Sequence, residues 1–149
     1  LCSDKELGLH IKEKVHGIDF LLKKICASRN SILPAKVKSG NTEMKREIKH
    51  SFDIPLKSNN RFSVTVRERI SFGPGKGPFG IEIVVVGFIF LKEEMKASHI
   101  KAMLKDRENT NFLINQCLPH TSATVAYLTD RMGFGPVILA PKFPVSREG

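Results

Sequence analysis

Alternation of apolar and polar residues dominates the first two thirds of the chain. In REIKHSFDIPL, Ile48, His50, Phe52 and Ile54 share one parity against Glu47, Lys49, Ser51 and Asp53, the period-2 pattern of a strand with one wet face. RFSVTVRERI places Phe62, Val64, Val66 and Ile70 on one side and Ser63, Thr65, Arg67 and Arg69 on the other, with Glu68 breaking the apolar row. IEIVVVGFIFL is apolar on both parities: Ile81, Ile83, Val85 and Ile89 on one, Val84, Val86, Phe88 and Phe90 on the other. Such a strand is expected to be covered on both faces, by a helix of its own domain and by something else. Upstream, Leu7, Leu9, Ile11 and Val15 keep one parity, and Ile18, Phe20 and Leu22 take the other. That shift predicts a long first strand with a kink or bulge near Gly17.

Helical spacing arrives only after these four runs. KEEMKASHIKAML sets Ile100, Met103 and Leu104 on one face of a short helix, with Glu93 and Glu94 at its expected start, where the helix dipole favours carboxylates. TNFLINQCLPHTSATVAYLTDRM carries a long apolar pattern from Phe112 to Met132, closed by Gly133. Pro119 is expected to kink or restart that helix, because it has no N–H to donate. Strands first and helices last read as α+β: a four-stranded antiparallel sheet with a long helix packed on it. Residues 1–149 form a single domain. A crossing connection at about residues 28–46, rich in Ser and Asn and holding Pro34 and Gly40, is long enough to be a binding element. The Gly/Pro-punctuated tail, residues 133–149, is apolar enough to need a surface to lie on.

FGPGKGPFG, residues 72–80, invites comparison with a phosphate-binding loop. Such a loop needs a Ser or Thr after its Lys and a helix behind it. Here Lys76 is followed by Gly77 and Pro78, and strand-like runs flank both sides, so the stretch reads as a β-hairpin connection. Other chemistry is equally thin. Cys117 and His120 lie close in sequence, but Pro119 stands between them and no nearby carboxylate could orient the imidazole. His10, His16, His50 and His99 fall in separate elements without metal-ligand spacing. The expectation is therefore no enzyme, no metal and no cofactor.

Composition limits the partners. The formal net charge is +9, and the excess lies in the first 105 residues, since residues 106–149 carry four cations against four carboxylates. This balance suits acidic proteins, anionic lipid or nucleic acid. One Tyr and no Trp leave few stacking platforms for bases, which weighs towards a solvated basic surface. Cys2, Cys26 and Cys117 are an odd set at no metal spacing, as expected of a reducing, cytoplasmic setting. LCSDKELGLH lacks the basic and apolar regions of a signal peptide, and IVVVGFIFL is half a membrane span, so no membrane insertion is expected.

The order of these features resembles SecB, the protein-export chaperone, and its relatives. GFIF after a β run is similar to the Gly-Ile-Phe ending of that family's fourth strand. LPHTSATVAYLTDRMGFGPVILAP is similar to its long helix and the step beyond, with Pro119, Phe134 and Leu139-Ala140-Pro141 at matching places. The resemblance runs from about Leu7 to Pro144 and is diffuse before Glu47. It implies an ATP-independent holdase for non-native polypeptides, serving export or shielding a dedicated partner such as the antitoxin of a toxin–antitoxin locus. It also implies a homodimer or homotetramer joined through the first strand and the long helix. Met44, Phe88, Phe90, Phe134 and Val137 are the side chains it places near the polypeptide groove. Three departures stand out. The chain is basic where SecB is acidic, Ile83, Val84 and Val85 replace the carboxylates that would meet a SecA-type motor, and only six residues follow Phe143, where a second long helix belongs. The alternative reading is a basic, nucleic-acid-associated or phage-type accessory protein that reuses this fold.

Overall fold

The structure, a computed structural model, describes residues 10–29, 43–73 and 77–141. Their elements are α1 (Ile11–Lys14), β1 (Val15–Arg29), β2 (Glu43–Asp53), β3 (Asn59–Gly73), β4 (Phe79–Met95), α2 (Ala97–Leu104) and α3 (Arg107–Arg131). The strands form one antiparallel sheet in the order β1-β4-β3-β2. The α+β architecture read from the residue pattern is the one observed.

β2–β3 and β3–β4 are consecutive antiparallel neighbours, so FGPGKGPFG joins a hairpin and no helix follows it. Lys76 itself lies outside the described residues. β1 and β2 occupy opposite edges of the sheet. The flanking strands reach into the expected connection at about residues 28–46. β1 runs on to Arg29 and β2 begins at Glu43, which puts Met44 in a strand; residues 30–42 lie outside the described residues.

Two further boundaries differ from the sequence reading. Ile11–Lys14 is a helical turn, although its alternation reads as strand. Tertiary contacts decide this: Ile11 is fully buried, and its N–H donates to Asn109 Oδ1 on α3 at 3.1 Å. The register shift at Val15/Gly17 is the bulge expected near Gly17. At the other end, β4 continues through Glu93 and Glu94 to Met95, so those carboxylates end a strand and α2 starts only at Ala97.

Asp106 caps α3, its side chain accepting from Glu108 N–H at 3.1 Å. The helix then runs through Pro119 without a break. Losing one backbone hydrogen bond is tolerable here because the flanking residues Cys117, Leu118 and Thr121 are all fully buried and hold the segment on the sheet. Gly133 ends the helix at φ +89°, with Phe134 N–H bonded to Thr129 O and Gly133 N–H to Asp130 O, both at 3.1 Å. This Schellman closure needs a left-handed residue at the glycine position.

α3 packs on β4 and β3. Gly87 sets how closely: a Cβ there would stand 3.2 Å from both Cys117 Sγ and Val64 Cγ1. The helix-side rows are Phe62, Val64, Val66 and Ile70 on β3 and Ile81, Ile83, Val85 and Ile89 on β4, all at most 4% exposed. Val84 and Val86 are also buried, although they face the other way and no described helix lies there. Their cross-strand neighbours account for it. Val84 is flanked in the ladder by Lys24 and Arg67, whose long stems can shelter it, and Val86 by Leu21 and Thr65.

Candidate functional site

β2 is an edge strand whose helix-side row, Met44, Arg46, Ile48, His50 and Phe52, extends beyond the part of the sheet on which α3 sits. Ile48 and Phe52 are half-buried, and Met44 is 43% exposed. The result is an apolar ledge. Its aromatic members are linked inward, His50 to Phe52 at 5.5 Å and Phe52 to Phe62 at 6.5 Å between ring centroids.

Beyond Gly133 the tail turns back along α3. Val137 N–H donates to Thr129 Oγ1 at 2.8 Å, and Ser122 Oγ donates to Leu139 O at 3.2 Å. Ala140 O then accepts from Arg46 Nη1 at 2.7 Å, so the tail reaches from the helix to β2 and walls one end of the ledge. Phe134 packs at a tilt on Phe79 at 5.3 Å, Phe79 meets Phe72 edge-on at 5.0 Å, and Phe72 is the ladder partner of Met44. Arg29 lies over the Phe134 ring at 5.1 Å.

The five side chains assigned to the groove therefore divide. Met44, Phe134 and Val137 are on the helix side, joined through Phe72 and Phe79 and the tail. Phe88, 40% exposed, and the half-buried Phe90 alternate with the buried row of β4 and face the opposite surface. On that surface Arg67 and Arg69 share Glu82 at 3.1 and 3.6 Å, and Lys49 pairs with Glu47 at 3.1 Å, so its cations are interleaved with carboxylates.

A group that sequence reasoning passed over lies under the ledge. Glu68 is fully buried and accepts from Arg46 Nε; among the described residues Arg46 Nη2 and Glu68 Oε2 have no hydrogen-bond partner. The signal was present in two places, an Arg within the apolar row of β2 and a Glu within that of β3. Only the register, which sets Arg46 opposite Ile70 and Ile48 opposite Glu68, makes them diagonal neighbours.

Cys117 and His120 do not form a reactive pair. Burial pushes the Cys117 thiol up from 9.0 to about 12, which removes the thiolate at neutral pH. His120 instead stacks on Phe20 with ring centroids 4.0 Å apart, beside a hollow between β1 and α3 lined by Ile18, Leu22 and Ala123. Among the described residues no three His, Cys, Asp or Glu side chains converge as a metal site, and no helix is long and apolar enough to cross a membrane.

No family model matches the chain, and no curated protein matches its sequence. Solved structures do match its fold. One is a SecB-like chaperone from Mycobacterium tuberculosis in complex with a ChAD peptide from the HigA1 antitoxin, with a TM-score of 0.67 at 12% identity. The match covers 91% of this chain and 95% of that one, and the fold is accordingly SecB-like.

Proposed function

We propose that this chain is an ATP-independent chaperone that holds an extended, non-native segment of a dedicated partner, such as an antitoxin, along the ledge of β2. One observation carries the reading: a half-covered apolar row on an edge strand, walled by α3 and the tail, in a fold whose solved likeness holds an antitoxin peptide. An edge strand offers unpaired backbone groups for a chain of any sequence, and alternate apolar side chains add affinity. Met44 suits such a surface because its flexible thioether adapts to varied partners. While the tail is docked, Phe134 and Val137 complete the wall, and Phe88 and Phe90 belong to a separate apolar area on the opposite face.

The assembly proposed with it is a homodimer or homotetramer joined through β1 and α3. β1 is a 15-residue edge strand with Leu21, Leu22 and Ile25 at 51, 45 and 43% exposure. A long apolar edge invites antiparallel pairing with a second copy. The setting proposed is a reducing cytoplasm, where the exposed free Cys26 stays a thiol. Export, with a SecA-type motor as partner, remains the second use of the same groove.

The test is light scattering by an unfolded client without ATP. Wild-type protein is expected to suppress the signal. Met44→Asp is expected to weaken protection at least about tenfold, since apolar contact contributes roughly 25 cal/mol per Å² buried, with circular dichroism unchanged. Phe88→Ser, on the far face, is expected to retain protection. No protection by wild-type protein against several clients, antitoxins included, would sink the reading.

A further inference from the structure

The tail is held in an unusual way for a packed segment. Three side chains fix residues 137–140, and each bonds main chain: Thr129 to Val137 N–H, Ser122 to Leu139 O and Arg46 to Ala140 O. Of the tail's own side chains between Pro136 and Pro141, only Leu139 is fully inserted, at 6% exposure, whereas Ile138 is 77% exposed. The site therefore reads an extended backbone with one apolar anchor and ignores most of the sequence it holds. Beneath the contact with Ala140, the Arg46–Glu68 pair keeps one donor, Nη2, and one acceptor, Oε2, unused and buried. A buried ion pair that served packing alone would satisfy both, because each orphaned polar atom is costly. An unused donor and an unused acceptor within one ion pair match the C=O and N–H that a single residue of an extended chain turns to the same side.

We propose that residues 136–141 are an intramolecular occupant of a main-chain-reading site. An extended, non-native polypeptide displaces them, and its amides are received by Ser122, Thr129 and the Arg46–Glu68 pair. This rests on the chaperone reading above and adds to it both the recognition chemistry and its regulation. The tail competes with the client, so apparent affinity is lowered by the fraction of time the site is already filled. Nothing in the incoming segment is read beyond its backbone and one aliphatic side chain at the place of Leu139.

The probe is a fluorescent peptide carrying residues 135–141, GPVILAP, titrated against the full chain by anisotropy. Leu139→Asp removes the tail's anchor without altering the receiving residues. It is expected to tighten peptide binding about tenfold or more, as follows when a site filled at least nine-tenths of the time is vacated. Val137→Pro, which deletes the N–H given to Thr129 together with the valine side chain, is the second variant should Leu139→Asp lose the native circular dichroism spectrum. It is expected to act in the same direction. Adding Arg46→Met with Glu68→Leu to the released variant is expected to abolish the gain. Unchanged or weaker binding in natively folded tail variants overturns the proposal and makes the tail a structural wall. A gain that survives the Arg46→Met/Glu68→Leu pair also overturns it, because the ion pair then reads nothing. Client protection measured on the same samples separates the two levels: a protecting wild type with no gain on tail release rejects the occupant and keeps the chaperone.

Discussion

Cys26 and Cys117 are the same residue type in opposite environments. Cys26 is exposed on an edge strand, while Cys117 is sealed under Gly87 with its thiol near pKa 12. A thiol reagent at pH 8 is expected to label Cys26 at once and Cys117 only after denaturant is added, as read by mass spectrometry. Raising the pH to 9 should leave Cys117 unlabelled, since its buried thiolate remains scarce until the pH nears 12. Glu68 makes a sharper case. Removing its carboxylate leaves Arg46 partly buried without its partner, and Glu68→Ala is expected to cost about 3–5 kcal/mol in urea unfolding. Replacing both members, Arg46→Met with Glu68→Leu, is expected to be near neutral or stabilising. If the double variant is as unstable as the single, the pair contributes more to the fold than its orphaned atoms imply.

At the scale of elements, the distance between α3 and the sheet is set by the absence of one Cβ. Gly87→Ala places a methyl 3.2 Å from Cys117 Sγ and Val64 Cγ1, two buried side chains that must both give way to admit it. Overpacking of this kind is expected to cost about 1–3 kcal/mol, seen as a lower unfolding midpoint. Gly17, where a Cβ would meet nothing, is the control: Gly17→Ala should shift the midpoint far less. The same helix shows what periodicity can miss. Pro119 reads as an interruption, yet the helix passes through it because the apolar residues on both sides are anchored to β3 and β4. Ile11–Lys14 errs in the opposite sense, its strand-like alternation overridden by a hydrogen bond to Asn109 and burial against the core.

For the whole molecule, the unpaired β1 edge and the hollow beside His120 place apolar surface on one side of the sheet, away from the β2 ledge. Self-association through that side would leave the ledges free. Sedimentation at tens of micromolar, on the order of homodimer working concentrations, is expected to show a dimer or larger species. Ile25→Lys is expected to shift it towards monomer without loss of circular dichroism signal. A monomeric wild type would reject this assembly and leave β1 with another partner.

Strand number, the antiparallel hairpins and the strands-then-helices order were legible from periodicity alone, because burying one face of a strand imposes a period of two that local composition records. The end of α3 was legible too, since only glycine takes the left-handed closure at residue 133 without strain. Which surface a candidate residue serves was not legible. Met44 and Phe88 are both apolar residues on strands, and only the sheet's order and register put them on opposite faces. The Arg46–Glu68 pair and the bonds from Ser122, Thr129 and Arg46 to the tail join residues 17 to 94 positions apart or turn a helix hydroxyl onto a passing backbone. Pairings of that kind leave no periodic trace, because they depend on where three elements meet rather than on what any one of them buries.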